Sequence, residues 1–487
     1  MMKRLAALPL VCAALAGCAN FAPDHTHPDL AAPPAYESEY RPDGALAASQ
    51  ISYREWFADP RLVALLDEAL TNNRDLVAST ARIEQARAQY RIEDADRLPA
   101  LSGTASAVRA RQSVTSQTTG GETLAVPVTG NFYDAGVAVS AFEFDFWGRV
   151  ANLSAAARAQ YLASIAAQRA FYLSLIGDTA NTYFEILETQ EQIALAQATA
   201  ESRKEGLRIA KLRLDAGVDS ALEFRQAETL LTQAEQQLSV ERLALARLRN
   251  QLAVLVGGRV PGELPNALTL AEQLGDSPID AGLPSELLLA RPDIVGAEQQ
   301  LRAARANIGA ARAAFFPTIS LTGSAGFSSN SLDSLFSSDS LGWSFGPSIY
   351  LPIFNHGALA ANLDLAKALE VEQVAAYDKT VQAAFREVSD ALAGRRYLDE
   401  QVDTLSRAVG AQDRIAKIAR LRYREGVADY LEVLDAERNL FSAQQDLLAT
   451  RRSALQNRAS LFIALGGGFP SESQPVLMTE EFEKASD

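Results

Sequence analysis

The sequence predicts a mainly α-helical chain with a small β part, built as a duplicated repeat of helix, β-hairpin and long helix. Three observations carry that prediction. Proline is absent between Pro127 and Pro261 and again between Pro352 and Pro470, and both windows are dense in Ala, Leu, Gln, Glu and Arg, the strongest helix formers. Gly148 and Gly217 in the first window have counterparts in Gly357 and Gly426 in the second. Ahead of each long window the hydrophobic period falls from about 3.6 residues to about 2, the signature of strands.

Each long window should be one unbroken helix, 148–216 and 357–425. At about 1.5 Å per residue such a helix approaches 100 Å, more than a compact domain needs, so it spans a gap. Apolar positions recur at three and four: Leu162, Ala166, Leu173, Ile176, Ala180, Tyr183 and Leu187 in the first, and Val381, Phe385, Val388, Leu392, Val402, Leu405 and Val409 in the second. Alone, this spacing would also fit a cytoplasmic coiled coil or helical spacer. The rest of the chain decides against both.

Apolar residues at 48% and charged residues at 22% are ordinary globular values, and no uninterrupted apolar run is long enough for a membrane-spanning helix. The start of the chain is different. Lys3 and Arg4 precede an apolar run that closes as Leu15-Ala16-Gly17-Cys18, so residues 1–17 read as a signal peptide with a small-residue cleavage site. The site resembles a bacterial lipobox: cleavage before Cys18 would leave it to carry lipid, and Ala19 resembles the sorting pattern for the outer membrane. A plain secretory signal is the alternative. Cys12 leaves with the leader and Cys18 is occupied by lipid, so no disulfide framework and no cofactor beyond that lipid are expected. Losing Lys3 and Arg4 makes the charge of −15 more negative still, which argues against nucleic acid as a partner.

Residues 18–55, with Pro23, Pro28, Pro33, Pro34 and Pro42, read as an extended tether from the lipid to the fold. Repeat 1 covers 56–258. Asp59 before Pro60 caps a short helix running to about Leu70, Thr71-Asn72-Asn73 breaks it, and a second helix from Asp75 to Arg97 stops at Pro99. Strands are predicted at about 100–110 and 132–146, joined by a polar Gly/Thr/Ser loop over 109–130. In the second strand Phe142, Phe144 and Phe146 alternate with Glu143 and Asp145, and about ten residues is the length a tilted strand needs to cross a bilayer. After the first long helix, Gly217 supplies left-handed C-cap geometry. Asp219 or Ser220 then caps the next helix, which runs back over 221–256 to Gly257-Gly258.

A linker with Pro261, Pro265 and Pro278, residues 259–282, leads to repeat 2 at 283–468, and 469–487 is a polar tail. Asp75 matches Asp293 and Pro99 matches Pro317 at an offset of 218, while Gly148, Gly217, Glu228 and Gly257 match Gly357, Gly426, Glu437 and Gly466 at 209. The difference falls inside the hairpin, whose second copy has strands at about 318–328 and 341–353, followed by helices 357–425 and 429–465. Ungapped matches over such spans mean structural duplication. The helices after Asp75 and after Ser220 together give about 90 Å, close to one rod, so each repeat supplies one continuous and one broken helical column. Four amphipathic strands are too few to close a barrel, and an open edge cannot sit in hydrocarbon, so the chain must oligomerise. Two chains give only a barrel filled by its own side chains; three give a hollow lumen.

Leu15-Ala-Gly-Cys18, Trp56-Phe-Ala-Asp-Pro60, Phe142-Glu-Phe-Asp-Phe-Trp-Gly-Arg149, Leu283-Pro-Ser-Glu-Leu-Leu-Leu-Ala-Arg-Pro-Asp293, Ala310-Ala-Arg-Ala-Ala-Phe-Phe-Pro317 and Leu351-Pro-Ile-Phe354 stand in that order. Together they resemble the TolC-like outer-membrane efflux lipoproteins of the OprM and NodT branch. The resemblance implies a homotrimer with a 12-stranded β-barrel in outer-membrane lipid, continued by a 12-helix periplasmic α-barrel tunnel. It also implies work as the exit duct of a tripartite pump, with a periplasmic adaptor (membrane fusion) protein and an inner-membrane transporter of the resistance-nodulation-division (RND) type. A type I protein-secretion duct on the same fold is the alternative, and a non-pore periplasmic coiled-coil scaffold is a third reading.

Asp413 follows Val409 by one turn, on the stripe set by Val402 and Leu405 where an apolar residue is expected. Its distance from the turn at Gly426 resembles the family's periplasmic gate, which implies an apolar ring at Val409 and an acidic ring at Asp413. An ordinary solvated aspartate is the alternative. Lys204 takes the matching place in repeat 1, so the second repeat would carry the gate. The turns Gly217-Val218-Asp219-Ser220 and Gly426-Val427-Ala428-Asp429 resemble the tips that family members present to adaptors, with Arg213 and Arg422 nearby to meet adaptor acids; helix capping alone also explains their Gly and Asp. His25, His27 and His356 have no neighbours with ligand spacing, Met478 is the only methionine beyond the leader, and no nucleophile, phosphate-loop or paired-carboxylate motif appears, so neither a metal site nor an enzyme is expected.

Overall fold

The structure, a computed structural model, describes residues 20–24, 26, 51–117, 123–218, 220–274 and 291–467. Cys18, Asp219, His25, His27, Met478 and the tail lie outside the described residues, as does most of the Leu283–Asp293 motif. In chain order the elements are α1 (Tyr53–Trp56), α2 (Pro60–Asn72), α3 (Arg74–Ala95), β1 (Leu101–Gln117), β2 (Thr123–Phe144), α4 (Arg149–Asp215), α5 (Ala221–Leu255), α6 (Pro292–Ala313), β3 (Thr318–Ser329), β4 (Leu341–Tyr350), α7 (Ala358–Arg424) and α8 (Tyr430–Ala464). The helix bounds of the two halves coincide at the two offsets seen in the sequence: α3 with α6, then α4 with α7 and α5 with α8.

Local chemistry explains these bounds. Asp59 caps α2 by accepting the Arg61 N–H at 2.8 Å, and Pro60 occupies the first turn. The break before α3 is narrower than the three residues expected: Asn73 alone makes it, its Oδ1 accepting the N–H groups of Asp75 and Leu76 at 2.9 Å each. Its Nδ2 donates to the Leu255 carbonyl at 2.9 Å, tying the end of α5 to this corner. Gly257 makes the approach possible, since a Cβ on it would lie 2.1 Å from the Asn72 carbonyl oxygen and its φ is +78°. The short helix α1, opened where the Ser52 N–H meets the Glu55 carboxylate, has no counterpart in the sequence reading.

The chain forms two compact units, and each draws on both repeats. One holds residues 20–26, 83–164 and 297–377, and with them the whole β-sheet. The sheet is four-stranded, antiparallel throughout, in the order β1-β2-β3-β4. Its first hairpin is longer than expected. Residues 109–117 and 123–130, read from the sequence as loop, continue the ladder as far as Gln117 opposite Thr123. Ser, Thr and Val in alternation suffice for a two-stranded ribbon, and Pro127 is tolerated because β2 there has β1 on one side only. β4 is shorter than expected, ending at Tyr350 rather than 353, where Pro352 removes a ladder donor.

The other unit holds residues 51–82, 165–274, 291–296 and 378–467. Its main core joins Leu62, Leu65 and Leu66 of α2 to Ile176, Tyr183 and Phe184 of α4 and to Phe462 of α8. Asp59 is fully buried within it. Beyond its capping role, Asp59 Oδ2 accepts the Tyr183 hydroxyl at 2.6 Å, the Leu268 N–H at 3.1 Å and the Gln273 side-chain amide at 3.2 Å. One carboxylate thus joins α2, α4 and the linker after α5.

Candidate functional site

The register sorts the sheet into two unlike faces. One carries Leu101, Val139 and Phe345 in one row, Val137, Ala325 and Trp343 in the next, and Phe144, Ile319 and Ile349 at the end nearest the helices. The other carries small and hydroxyl residues, with Ser320–Ser348 and Ser324–Ser344 hydroxyl pairs at 2.8 and 2.7 Å across β3 and β4. The apolar face lies open to the surroundings: Trp343 is 79% exposed. β1 and β4 each have an unpaired edge in this chain. Between Val139 and Phe142 the ladder carries a bulge with Ala141 at φ +52°, which keeps both phenylalanines on the apolar face.

The strand-to-helix corner accounts for the motif from Phe142 to Arg149. Glu143 clasps the Arg149 guanidinium at 3.0 Å (Nε) and 2.5 Å, raising its affinity for the proton further. The Asp145 carboxylate accepts the Ala151 N–H at 2.7 Å and so satisfies the start of α4. Trp147 donates to the Pro317 carbonyl at 2.9 Å and stacks on Phe316 with centroids 4.8 Å apart, while Gly148 turns the chain at φ +72°.

The described N-terminal residues are held in the same unit. Phe21 also stacks on Phe316, at 4.8 Å, and its carbonyl accepts from Arg312 at 2.8 Å. Asn152 donates to Asn20 at 3.0 Å, and Arg305, itself paired with Glu370 at 3.0 Å, donates to the Thr26 carbonyl at 2.7 Å. Gly309 leaves room for this strap: a Cβ there would lie 2.8 Å from the Ala22 nitrogen. Asn20, Phe21, Ala22 and Thr26 are therefore seated, although the sequence suggests only an extended tether.

In the second unit the two inter-helix turns have the same build. Gly217 and Gly426 sit at φ +70° and +74°; Val218 N–H reaches the Arg213 carbonyl at 2.9 Å and Val427 N–H the Arg422 carbonyl at 3.0 Å, the Schellman pattern. Ser220 is the N-cap of α5, its N–H on the Glu223 carboxylate at 2.7 Å, and Asp429 caps α8 by accepting the Glu432 N–H at 3.3 Å. Val218 and Val427 are about equally exposed, 66% and 65%, and Ala428 is half-buried. Arg213 and Arg422, expected to face outside acids, have partners within the chain. The Arg213 guanidinium lies 4.8 Å over the Tyr423 ring, and Arg422 pairs with Glu432 at 3.0 Å.

Four helices share a core next to these turns, through Ala210, Ala227, Leu230, Ala416, Tyr423, Tyr430 and neighbours. Beside it lies a cleft of about 650 Å³ lined by Ile209, Leu212, Val433, Tyr423, Tyr430 and Arg424 among others. The Tyr430 ring packs 5.1 Å from that of Tyr423, and burial, then Glu437, pushes its hydroxyl pKa up to about 12. Val409 is half-buried and packs on this core. Asp413 lies beside the buried row of Ala416, Ala419 and Tyr423, and its carboxylate accepts from Lys417 at 2.6 Å. That contact is a one-turn ion pair within α7. The equivalent Lys204 is exposed.

Sequence reasoning missed Arg203. Ala196, Arg203 and Ala210 recur at seven as the buried seam of the distal part of α4. Arg203 is 4% exposed, donates to the Leu230 carbonyl at 2.9 Å and lies 5.3 Å over the Phe441 ring, and burial lowers its pKa. The heptad spacing from Ala196 was the available signal, masked by the charge.

An amphipathic antiparallel sheet with open edges, in a chain with a duplicated set of very long helices, fits a channel subunit of the outer-membrane type. The family model described as outer membrane efflux protein matches residues 65–258 and 283–467, and the chain belongs to that family. The chain is similar to the solvent efflux pump outer membrane protein SrpC of Pseudomonas putida, 45% identical over 87% of this chain and 89% of that one. It is also similar to the cation efflux system protein CusC of Escherichia coli K12, 38% identical over 94% of this chain and 98% of that one. Among solved structures, the open-state MtrE outer membrane channel of Neisseria gonorrhoeae superposes with a TM-score of 0.82 at 36% identity, over 94% of this chain and all of that one. The fold is the TolC-like one, and the protein is an outer-membrane component of efflux.

Proposed function

We propose that three copies of this chain form the exit duct of a tripartite pump for small molecules, anchored by lipid on Cys18. The observation that carries this reading is the sheet with two open edges and one apolar face. Hydrocarbon leaves an unpaired strand edge unsatisfied, so β4 of one copy pairs with β1 of the next until twelve strands close around a hollow lumen. The apolar face then meets lipid, and the hydroxyl face lines the passage. The seated strap supports the anchor, because Phe21, three residues after Cys18 in the sequence, stacks on Phe316 at the corner that also holds Trp147. The turns carrying Val218 and Val427 offer matched apolar knobs to a periplasmic adaptor, together with Gly217, Asp219, Ser220, Gly426, Ala428 and Asp429 around them. An inner-membrane RND-type transporter supplies the energy. The pump names of the relatives, solvent and cation efflux, favour small cargo over secreted polypeptides.

Val409 and Asp413 form the gate in this reading, with Lys417 reducing the charge of the ring. Planar bilayers with full-length protein test both levels. Wild type should conduct weakly, and Asp413→Ala should conduct severalfold more, because the ring of carboxylates that narrows the passage in this reading is lost. Equal conductance of the two would remove the gate assignment, and no conductance from either would remove the duct.

A further inference from the structure

We propose that Arg109 and Arg111, on the ribbon that β1 and β2 form beyond the rest of the sheet, bind phosphate-bearing lipid headgroups of the outer leaflet. The inference rests on the barrel reading above. Both arginines are on the apolar side of the sheet: Leu101, Gly103, Ala105, Ala107, Arg109 and Arg111 alternate onto one face, opposite Val139, Val137, Ala135, Tyr133, Asn131 and Thr129. The last four-stranded row ends in Phe327 and Leu341 and β3 ends where Ser329 meets Tyr133, so the arginines stand where β1 and β2 alone remain paired. From Phe144 to Tyr133, at about 3.3 Å per residue with a bulge and a tilt near 40°, the apolar face is about 25 Å tall, the height of an outer-membrane apolar band. On the same scale the Cα of Arg109 lies about 5 Å above the Tyr133 rim and that of Arg111 about 10 Å, the depth of headgroups.

The chemistry of the faces changes at that level. Above the rim the lipid-side face becomes Arg109, Asn131, Arg111 and Thr129, whereas Val108, Phe132 and Val128 turn to the opposite face. Both arginines are exposed, and among the described residues neither makes an ion pair. The acids of this region look elsewhere: Asp134 faces the other side with Ser106 at 3.3 Å, and Asp333 is engaged by Ser331. A guanidinium two residues from its twin on one strand face presents two forks about 7 Å apart, suited to bridging headgroup phosphates. The two guanidinium groups thus sit at the headgroup level, on a chain that is itself acidic.

The test uses full-length, detergent-purified protein titrated with bisphosphorylated lipid A, with the same glycolipid after dephosphorylation, and with inorganic phosphate. Wild type should bind the bisphosphorylated form best, the double variant Arg109→Gln/Arg111→Gln should bind it about tenfold more weakly, and the double Lys variant should recover part of the loss. Equal binding by wild type and the Gln variant would overturn the proposal, as would equal binding of the dephosphorylated glycolipid. Displacement by millimolar inorganic phosphate would do the same, since it marks a site for free anions. Conductance measured on the same preparations separates the two levels. A conducting wild type that does not bind the glycolipid refutes this inference alone; a wild type without conductance refutes the duct.

Discussion

Gly136→Val is expected to remove the protein from the outer membrane. Gly136 and Gly326 face each other across β2 and β3, and the backbones there approach too closely for any side chain. A Cβ on Gly136 would lie 2.8 Å from the Ala325 carbonyl oxygen and 2.9 Å from the Gly326 Cα; one on Gly326 would lie 2.7 Å from both the Ala135 carbonyl oxygen and the Gly136 Cα. These are main-chain atoms of a ladder, which cannot move aside as a rotamer can. The clash costs about 3 kcal/mol or more in each copy, and closure of a barrel would incur it three times. A Cβ on Gly323, on β3 with both of its neighbouring strands in this chain, would lie 3.5 Å from the Ser344 carbonyl oxygen, an ordinary contact, so Gly323→Val is the matched control. Membrane fractions should show folded, heat-modifiable oligomer for wild type and Gly323→Val and almost none for Gly136→Val. Normal assembly of Gly136→Val would mean that the β2–β3 pairing is not part of the membrane wall.

Helix bounds were legible in the sequence almost to the residue, because local chemistry decides them. Gly217 and Gly426 stop α4 and α7 by left-handed caps, Pro60 starts α2, and the same spacing recurs in both repeats. The hairpins were legible in existence and not in length. Residues 109–117 and 123–130 hold Gly, Thr, Ser and Gln, which read as loop one at a time, and only pairing of the two segments makes them extended. Spacing along a helix was legible, and side-chain contacts were not. Asp413 could be placed one turn from Val409, but its bond to Lys417 depends on rotamers that spacing leaves open. Likewise Arg213 resting on Tyr423 joins residues of different repeats, and no local pattern connects them. Asp59 was recognisable as a cap through Pro60, while its larger role depends on Tyr183 and Gln273, both distant in sequence.

That larger role makes Asp59→Ala the substitution with the greatest expected effect on the helical unit. The side chain is buried, and four groups turn to it: the Arg61 and Leu268 N–H groups, the Tyr183 hydroxyl and the Gln273 amide. Alanine leaves three of these buried donors facing a small void as well as uncapping α2. A lost cap costs about 1 kcal/mol and each stranded donor about 1–3 kcal/mol, less what entering water restores, so a total of about 3–5 kcal/mol is expected. Asp59→Asn separates charge from shape: its single carbonyl oxygen can keep the cap, but its amide N–H groups then face the Leu268 and Gln273 donors, so it should cost only somewhat less than alanine. Tyr183→Phe removes one donor with its partner retained, and should cost about 1 kcal/mol. The loss should be local before it is global, because the linker around Leu268 and Gln273 has this carboxylate as its tie to α2. Limited proteolysis should therefore cut Asp59→Ala between Val260 and Leu274 at temperatures where wild type is intact, and the melting of helical dichroism should shift down in the order Tyr183→Phe, Asp59→Asn, Asp59→Ala. An unshifted melt for Asp59→Ala, with the linker still resistant, would show that the apolar packing of Leu62, Leu66 and Phe184 holds this corner without the carboxylate.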